Sequence, residues 1–181
     1  MIKRLFLAFS VALCFMAAAQ QKVSNSDLKM DFTVPESWTV HTYFKSEFDK
    51  PAGSSICHCA LVVCILKVPN GDDFDYLHMV VYPSDKKGAS DPQRGFVWQY
   101  KVTHSESADS VKTPNLNWKH YSGKLTVTGE NRFKDHMAWI YQTHTKKEKT
   151  FYTVYFWAKA GLLSQNKGII DKIISGFKSI E

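Results

Sequence analysis

Residues 150–178 read TFYTVYFWAKAGLLSQNKGIIDKIISGFK, and they join a strand pattern to a helix pattern. In the first part, aromatic residues occupy both alternations of a strand: Tyr152 and Phe156 on one, Tyr155 and Trp157 on the other. A strand with one wet face alternates apolar with charged residues, and this one does not. We therefore expect a strand that is packed on both faces.

The second part of this stretch has the periodicity of an amphipathic helix. Asn166 is a plausible N-cap, and the apolar residues that follow fall on one stripe: Ile169, Ile170, Ile173, Ile174 and Phe177. Apolar residues three, four and seven positions apart share one helix face. We expect a helix over 166–178 that lies on the sheet.

The rest of the chain shows mostly strand patterns. Strands are predicted at 31–40, 56–68, 76–82, 118–128, 134–144 and 150–159. The second and third form a hairpin around the Asn70-Gly71 turn, and Asp91-Pro92 opens a predicted helix that ends near His104. Residues 105–116 are polar and are expected to form a loop. The predicted fold class is α+β, an antiparallel sheet packed between helices in an αβα sandwich.

The N-terminus has the pattern of a secretory signal peptide. Lys3 and Arg4 precede an apolar run at 5–16, and three alanines end at Ala19. Cleavage there removes residues 1–19 and leaves a polar stretch, 20–30, that is expected to be a flexible N-terminus. Residues 31–181 are then a single α+β domain, exported to the periplasm or the extracellular space.

The charge of the chain excludes one class of partner. Loss of Lys3 and Arg4 lowers the formal net charge by two, from +6 to about +4. This is too small a surplus for the broad basic face of a nucleic-acid-binding protein. No later apolar run is long enough for a transmembrane segment in the mature chain.

Two parts of the sequence carry a family resemblance. The first is Phe32-Thr33-Val34-Pro35, with Trp38 following; the second is the aromatic region 133–157 with the helix that ends in Ser175-Gly176-Phe177-Lys178. The chain thereby resembles an exported, bacterial-type member of the PsbP-like family, which shares its fold with the Ran-binding protein Mog. Gly176 is an insertion relative to that family's usual ending. The resemblance implies an antiparallel sheet between helices and a binding or assembly role without a shared active site.

The sharpest local cluster is Cys57-His58-Cys59. Thiolate and imidazole are ligands for zinc or copper, so these three residues are candidate metal ligands and carry the alternative of a metal- or redox-linked protein. Cys64 lies on the opposite strand parity and is interpreted as a small core residue. A local or intermolecular disulfide and free thiols remain open for Cys57 and Cys59.

The sequence indicates a binding protein more than an enzyme. We find no nucleophile elbow, zinc-protease motif, phosphate loop or dinucleotide fingerprint, and we expect no cofactor. The function that the sequence indicates is an exported, non-catalytic binding or assembly module with a protein or small-molecule partner. The candidate binding residues are Tyr43 and Trp118, next to long polar loops; the alternative interpretation is that these rings close the edge of the core.

Overall fold

A computed structural model describes residues 19–42, 62–68, 75–84, 100–104, 109–127, 133–144 and 151–180. Their strands are β1 (Gln20–Asn25), β2 (Met30–Pro35), β3 (Thr39–Thr42), β4 (Val62–Lys67), β5 (Tyr76–Ser84), β6 (Tyr100–His104), β7 (Asp109–Lys112), β8 (Asn117–Val127), β9 (His136–His144), β10 (Phe151–Lys159) and β11 (Lys178–Ser179). Two helices, α1 (Ala160–Gln165) and α2 (Lys167–Gly176), follow β10. None of the described helices is long and apolar enough to cross a membrane.

The strands form one large and one small antiparallel sheet. The large sheet has the order β3-β4-β5-β10-β9-β8-β6, and β7 also pairs with β8; the small sheet has the order β1-β2-β11. The predicted hairpin is confirmed over its described part, where β4 pairs with β5 in register Cys64↔Met79. The predicted aromatic strands become β9 and β10, which are neighbours at the centre of the large sheet.

The C-terminal helix packs as its apolar stripe predicts. Ile170, Ile173, Ile174 and Phe177 are at most 2% exposed and join the main core with the inner side chains of β2, β5, β9 and β10. The ring of Phe177 stacks on Phe32 with centroids 4.3 Å apart, which ties the end of the helix to the small sheet. Asn166 occupies the N-cap position, but its side chain donates backwards to the carbonyl of Leu162 instead of capping α2.

The other face of the large sheet is also buried, as the two-parity aromatic pattern predicts. A second cluster there includes Tyr82, Leu125, Ile140 and Tyr155, all at most 3% exposed. The described residues thus form an α+β fold dominated by antiparallel strands, with both helices near the C-terminus. They do not show a clear helix-sheet-helix sandwich.

The helix predicted from Asp91 to His104 is wrong at its end. Tyr100–His104 is strand β6 and pairs with β8; residues 91–99 lie outside the described part of the chain. The sequence Tyr-Lys-Val-Thr-His is rich in aromatic and β-branched residues that favour strands, and the unpaired edge of β8 is available to it. The predicted loop at 105–116 likewise contains a strand, β7.

Residues 20–30 are not a loose terminus. β1 pairs with β2 along its whole length, Val23 is 3% exposed, and Lys22 forms an ion pair with Asp31. Asn25 then closes the turn, because its side-chain oxygen accepts hydrogen bonds from the amides of Asp27 and Leu28. The polar composition of this stretch predicts a flexible segment, but its three apolar residues, Val23, Leu28 and Met30, are all buried in the core.

Candidate functional site

A cavity of about 470 Å³ lies between α2 and the strands β7, β8 and β9. Its wall on the sheet side includes Asp109, His120, Trp139 and Tyr141, and α2 contributes Lys167 and Asp171. The register explains the first group, because Asp109 pairs with His120 and His120 pairs with Tyr141 in one row across three strands. Residues opposite one another in a sheet project from the same face.

His120 is the polar centre of this cavity. Its ring stacks on Tyr141 with centroids 4.6 Å apart and meets Trp139 edge-on at 6.0 Å. Its Nδ1 lies 4.0 Å from the carboxylate of Asp109. Its Nε2 is buried and has no hydrogen-bond partner among the residues that the structure describes. An unpaired buried nitrogen costs stability unless a donor reaches it.

The electrostatics keep His120 neutral near neutral pH. Burial lowers the pKa of His120, and Lys167 acts in the same direction; the carboxylates of Asp109 and Asp171 oppose the shift without reversing it. A neutral ring with its Nδ1 proton turned towards Asp109 presents Nε2 as an acceptor. Burial, followed by the field of Asp171, raises the pKa of Tyr141, so this phenol stays protonated.

The rim of the cavity is polar and belongs to the helices. Lys167 donates to Asp171 over 2.5 Å, one helical turn away. Ser164 and Ser175 complete the helix side, and the hydroxyl of Ser164 donates to the carbonyl of Ala160 in its own helix. The site thus combines aromatic walls, one inward acceptor and an exposed charged rim.

A second, smaller cavity of about 350 Å³ lies where β7, β8 and β9 end. Gln142, which is 5% exposed, lines it and donates through Nε2 to the hydroxyl of Thr153 over 3.4 Å. Its Oε1 has no partner within the described residues. Ser110, Lys119 and the largely buried ring of Trp118 also line this cavity.

Of the two candidate binding aromatics, Trp118 is described by the structure. It is 1% exposed and packs edge-on against Phe177 at 5.4 Å and Tyr141 at 6.4 Å. Its ring therefore belongs to the core, which corresponds to the second of the two interpretations that the sequence left open. Tyr43 lies outside the described residues.

The candidate metal ligands Cys57, His58 and Cys59 also lie outside the described residues. Within the described ranges no group of three His, Cys, Asp or Glu side chains is placed to hold a metal ion. Cys64 is a buried core residue, as its strand parity predicts. Burial raises the pKa of its thiol to about 12, so it is a poor nucleophile and ligand at neutral pH.

Sequence reasoning missed the pair Asp109 and His120. The polar stretch 105–116 predicts a loop at Asp109, and His120 lies near the start of the strand predicted at 118–128. The signal that locates them is the pairing of β7 with β8, which a single sequence does not show. Once that register is known, the row Asp109–His120–Tyr141 follows directly.

Comparison with known proteins gives similarity of fold only. No family model and no curated protein matches the chain. Among solved structures, cyanobacterial PsbP (CyanoP) from Synechocystis sp. PCC 6803 is 14% identical, with a TM-score of 0.54, and the match covers 92% of this chain and 95% of that one. LpqN of Mycobacterium tuberculosis is 10% identical with a TM-score of 0.50, covering 88% and 90%.

The Ran-binding protein Mog1p of Saccharomyces cerevisiae also matches, at 9% identity and a TM-score of 0.48, covering 91% of this chain and 97% of that one. The chain has a PsbP-like fold, as the motifs at its two ends indicate. At these identities the comparison describes the architecture and does not assign a ligand or an activity.

Proposed function

We propose that this chain is an exported, non-catalytic binding module whose ligand occupies the cavity between α2 and β7–β9. The observation that carries the proposal is the buried, unpartnered Nε2 of His120 in a cavity walled by Trp139 and Tyr141. Ligand sites are commonly concave and largely apolar, with a few converging polar groups and a volume of about 300–1,000 Å³. The cavity has each of these properties.

Binding fits this geometry better than catalysis. An activated nucleophile forms a hydrogen bond with its base, and the base is oriented by a third group. Asp109 and His120 resemble the last two members of such a set, but no hydroxyl of the described residues donates to Nε2 of His120, and Ser164 donates to the carbonyl of Ala160. The arrangement supplies an acceptor for a ligand.

Export is supported by the position of the first described strand. β1 starts at Gln20, so cleavage after Ala19 would leave every residue of β1 in place. It would remove the carbonyl of Ala19, which accepts the amide of Glu36. LpqN, which has a similar fold, is involved in cell envelope biogenesis. We expect the intact mass of the exported protein to correspond to a chain beginning at Gln20; a mass that includes Met1 would contradict export by this route.

Three further elements remain proposals. The part of the predicted 91–104 helix that lies outside the described residues would be the second helical element of the sandwich, and Tyr43 would contact a partner. A metal- or redox-linked role for Cys57, His58 and Cys59 is the alternative function. Zinc and copper analysis of the mature protein, together with a count of free thiols, separates this alternative from a pure binding role.

Filling the cavity with a large side chain tests whether ligands bind there. Ser175 is an exposed rim residue of α2, so Ser175→Trp places an indole in the cavity without removing a core contact. We expect small-molecule fragments that raise the melting temperature of the wild-type protein to raise that of this variant by less than half as much. Thermal-shift measurements over one fragment library provide the comparison.

The matched control is Lys172→Trp, which places the same ring on an exposed position of α2 away from the cavity. Its response to the fragments should equal that of the wild type. Equal responses from all three proteins would show that the fragments bind elsewhere and would contradict the proposed site.

A further inference from the structure

We propose that the ligand of the helix–sheet cavity is a small organic amine, bound as a cation with an N–H group donated to Nε2 of His120. This inference rests on the proposed function, because it names the chemical class of ligand for the same site. Three properties of the cavity lead to it: the hydrogen-bonding character of His120, the balance of charge, and the aromatic walls.

The buried nitrogen of His120 calls for a hydrogen-bond donor on the ligand. The carboxylate of Asp109, 4.0 Å from Nδ1, favours the tautomer of the neutral ring that carries its proton on Nδ1, and we infer that Nε2 is then the acceptor. Nε2 is buried and unmatched among the described residues. A ligand carboxylate or ether would bring a second acceptor to this lone pair and leave both unsatisfied.

The charged residues that line the cavity favour a positively charged donor on the ligand over a neutral one. The described wall carries two carboxylates, Asp109 and Asp171, and one ammonium, Lys167. Lys167 is already paired with Asp171 over 2.5 Å, which leaves the carboxylate of Asp109 as the uncompensated charge. A positive charge on the ligand neutralises the Asp109 carboxylate, whereas a negative charge is repelled by it.

The aromatic walls favour an apolar body and a positive charge on the ligand. Trp139 and Tyr141 both line the cavity, but His120 is stacked on Tyr141, so Trp139 is the ring available to a ligand cation. The electron-rich face of an indole attracts ammonium groups and also packs against apolar carbon. A cavity of about 470 Å³ accommodates a ligand with one ring and a short amine arm.

The experiment uses three probes of matched shape and different charge: phenethylamine, 2-phenylethanol and phenylacetate. Binding to the mature protein at pH 7 is measured by isothermal titration calorimetry. We expect phenethylamine to bind at least about tenfold more tightly than 2-phenylethanol and to find phenylacetate the weakest of the three. Equal affinity for amine and alcohol, preference for the acid, or no measurable amine binding would overturn the inference.

Two variants assign the effect to the named groups. His120→Phe keeps an aromatic ring against Tyr141 and removes the acceptor, and it should weaken phenethylamine binding by about tenfold, since hydrogen bonds to charged groups are the strong ones. Asp109→Asn removes an exposed charge and should weaken it about two- to fivefold. Asp135→Asn, an exposed aspartate away from the cavity, is the control and should leave the affinity unchanged.

The outcomes separate this inference from the proposed function. If Ser175→Trp abolishes fragment responses but the amine has no advantage, the cavity is a binding site for another class of ligand and the amine inference fails alone. If Ser175→Trp has no effect on any probe, the proposed site itself fails. Amine preference that survives both His120→Phe and Asp109→Asn would also contradict the inference.

Discussion

Replacing Ile173 with aspartate is expected to lower the free energy of unfolding by about 3–5 kcal/mol. Ile173 is 2% exposed in the middle of α2, and it packs in the main core between the helix and the sheet. The substitution deletes a buried side chain and replaces it with a carboxylate that has no partner there. For a domain of this size the melting temperature should fall by about 10 °C.

Lys172→Asp is the matched control for this experiment. Position 172 is exposed on the same helix, so the same residue is introduced without burial, and the expected change is within about 0.5 kcal/mol. Chemical denaturation of the two variants and the wild type provides the measurement. Similar stabilities for Ile173→Asp and the wild type would mean that α2 does not pack on the sheet.

The second large effect is acid destabilisation through His78. Burial, reinforced by repulsion from His136, lowers the pKa of His78 from 6.5 to about 4. In the unfolded chain His78 therefore binds a proton below pH 6.5, whereas in the folded chain it binds one only below about pH 4. Stability is complete above pH 6.5 and falls as the pH decreases through this window, by about 2 kcal/mol at pH 5.

His78→Phe removes this titration and keeps the packing. The imidazole of His78 stacks on Trp157 with centroids 3.9 Å apart and planes 3° from parallel, a position that a phenyl ring fills. We expect the loss of stability between pH 7 and pH 5, measured by urea unfolding, to shrink by about 2 kcal/mol in the variant. His144→Gln, at an exposed histidine of β9, should retain the wild-type pH dependence. An unchanged dependence in His78→Phe would assign the effect to other groups.

The sequence predicts the elements that carry a strong periodic pattern. The aromatic residues on both parities of 150–159 predict a doubly packed strand, and Tyr155 and Phe156 are 1% and 0% exposed. The isoleucine stripe predicts α2 and its buried face correctly. In both cases the information is local, because burial of a long apolar pattern leaves few alternatives.

The sequence does not predict elements whose pairing is non-local. β1, β6 and β7 contain few apolar residues, and each is stabilised by main-chain hydrogen bonds to a partner strand. The spacing of Phe96 and Tyr100 fits a helical period, but Tyr100–His104 pairs with the edge of β8 as strand β6. A local sequence pattern does not indicate where the edge of β8 lies in the fold.

The same difference between local pattern and non-local packing applies to the candidate site. Trp118 was singled out because it is a large aromatic next to polar segments, but its position opposite Val111 on the inner row of β8 places it in the core. His120, two residues further on, lies on the same face at the cavity. Composition around the two residues is alike, and only the packing of α2 over this part of the sheet distinguishes a core residue from a cavity residue.

The most direct test of the central claim is a crystallographic one. Crystals of the mature chain would be soaked with the fragments that raise its melting temperature, and the positions of bound fragments would be located in electron density. We expect the fragments to bind between α2 and β7–β9, with a donor atom within hydrogen-bonding distance of Nε2 of His120. Fragments bound only at the Gln142 cavity or elsewhere on the surface, with the helix–sheet cavity empty, would contradict it.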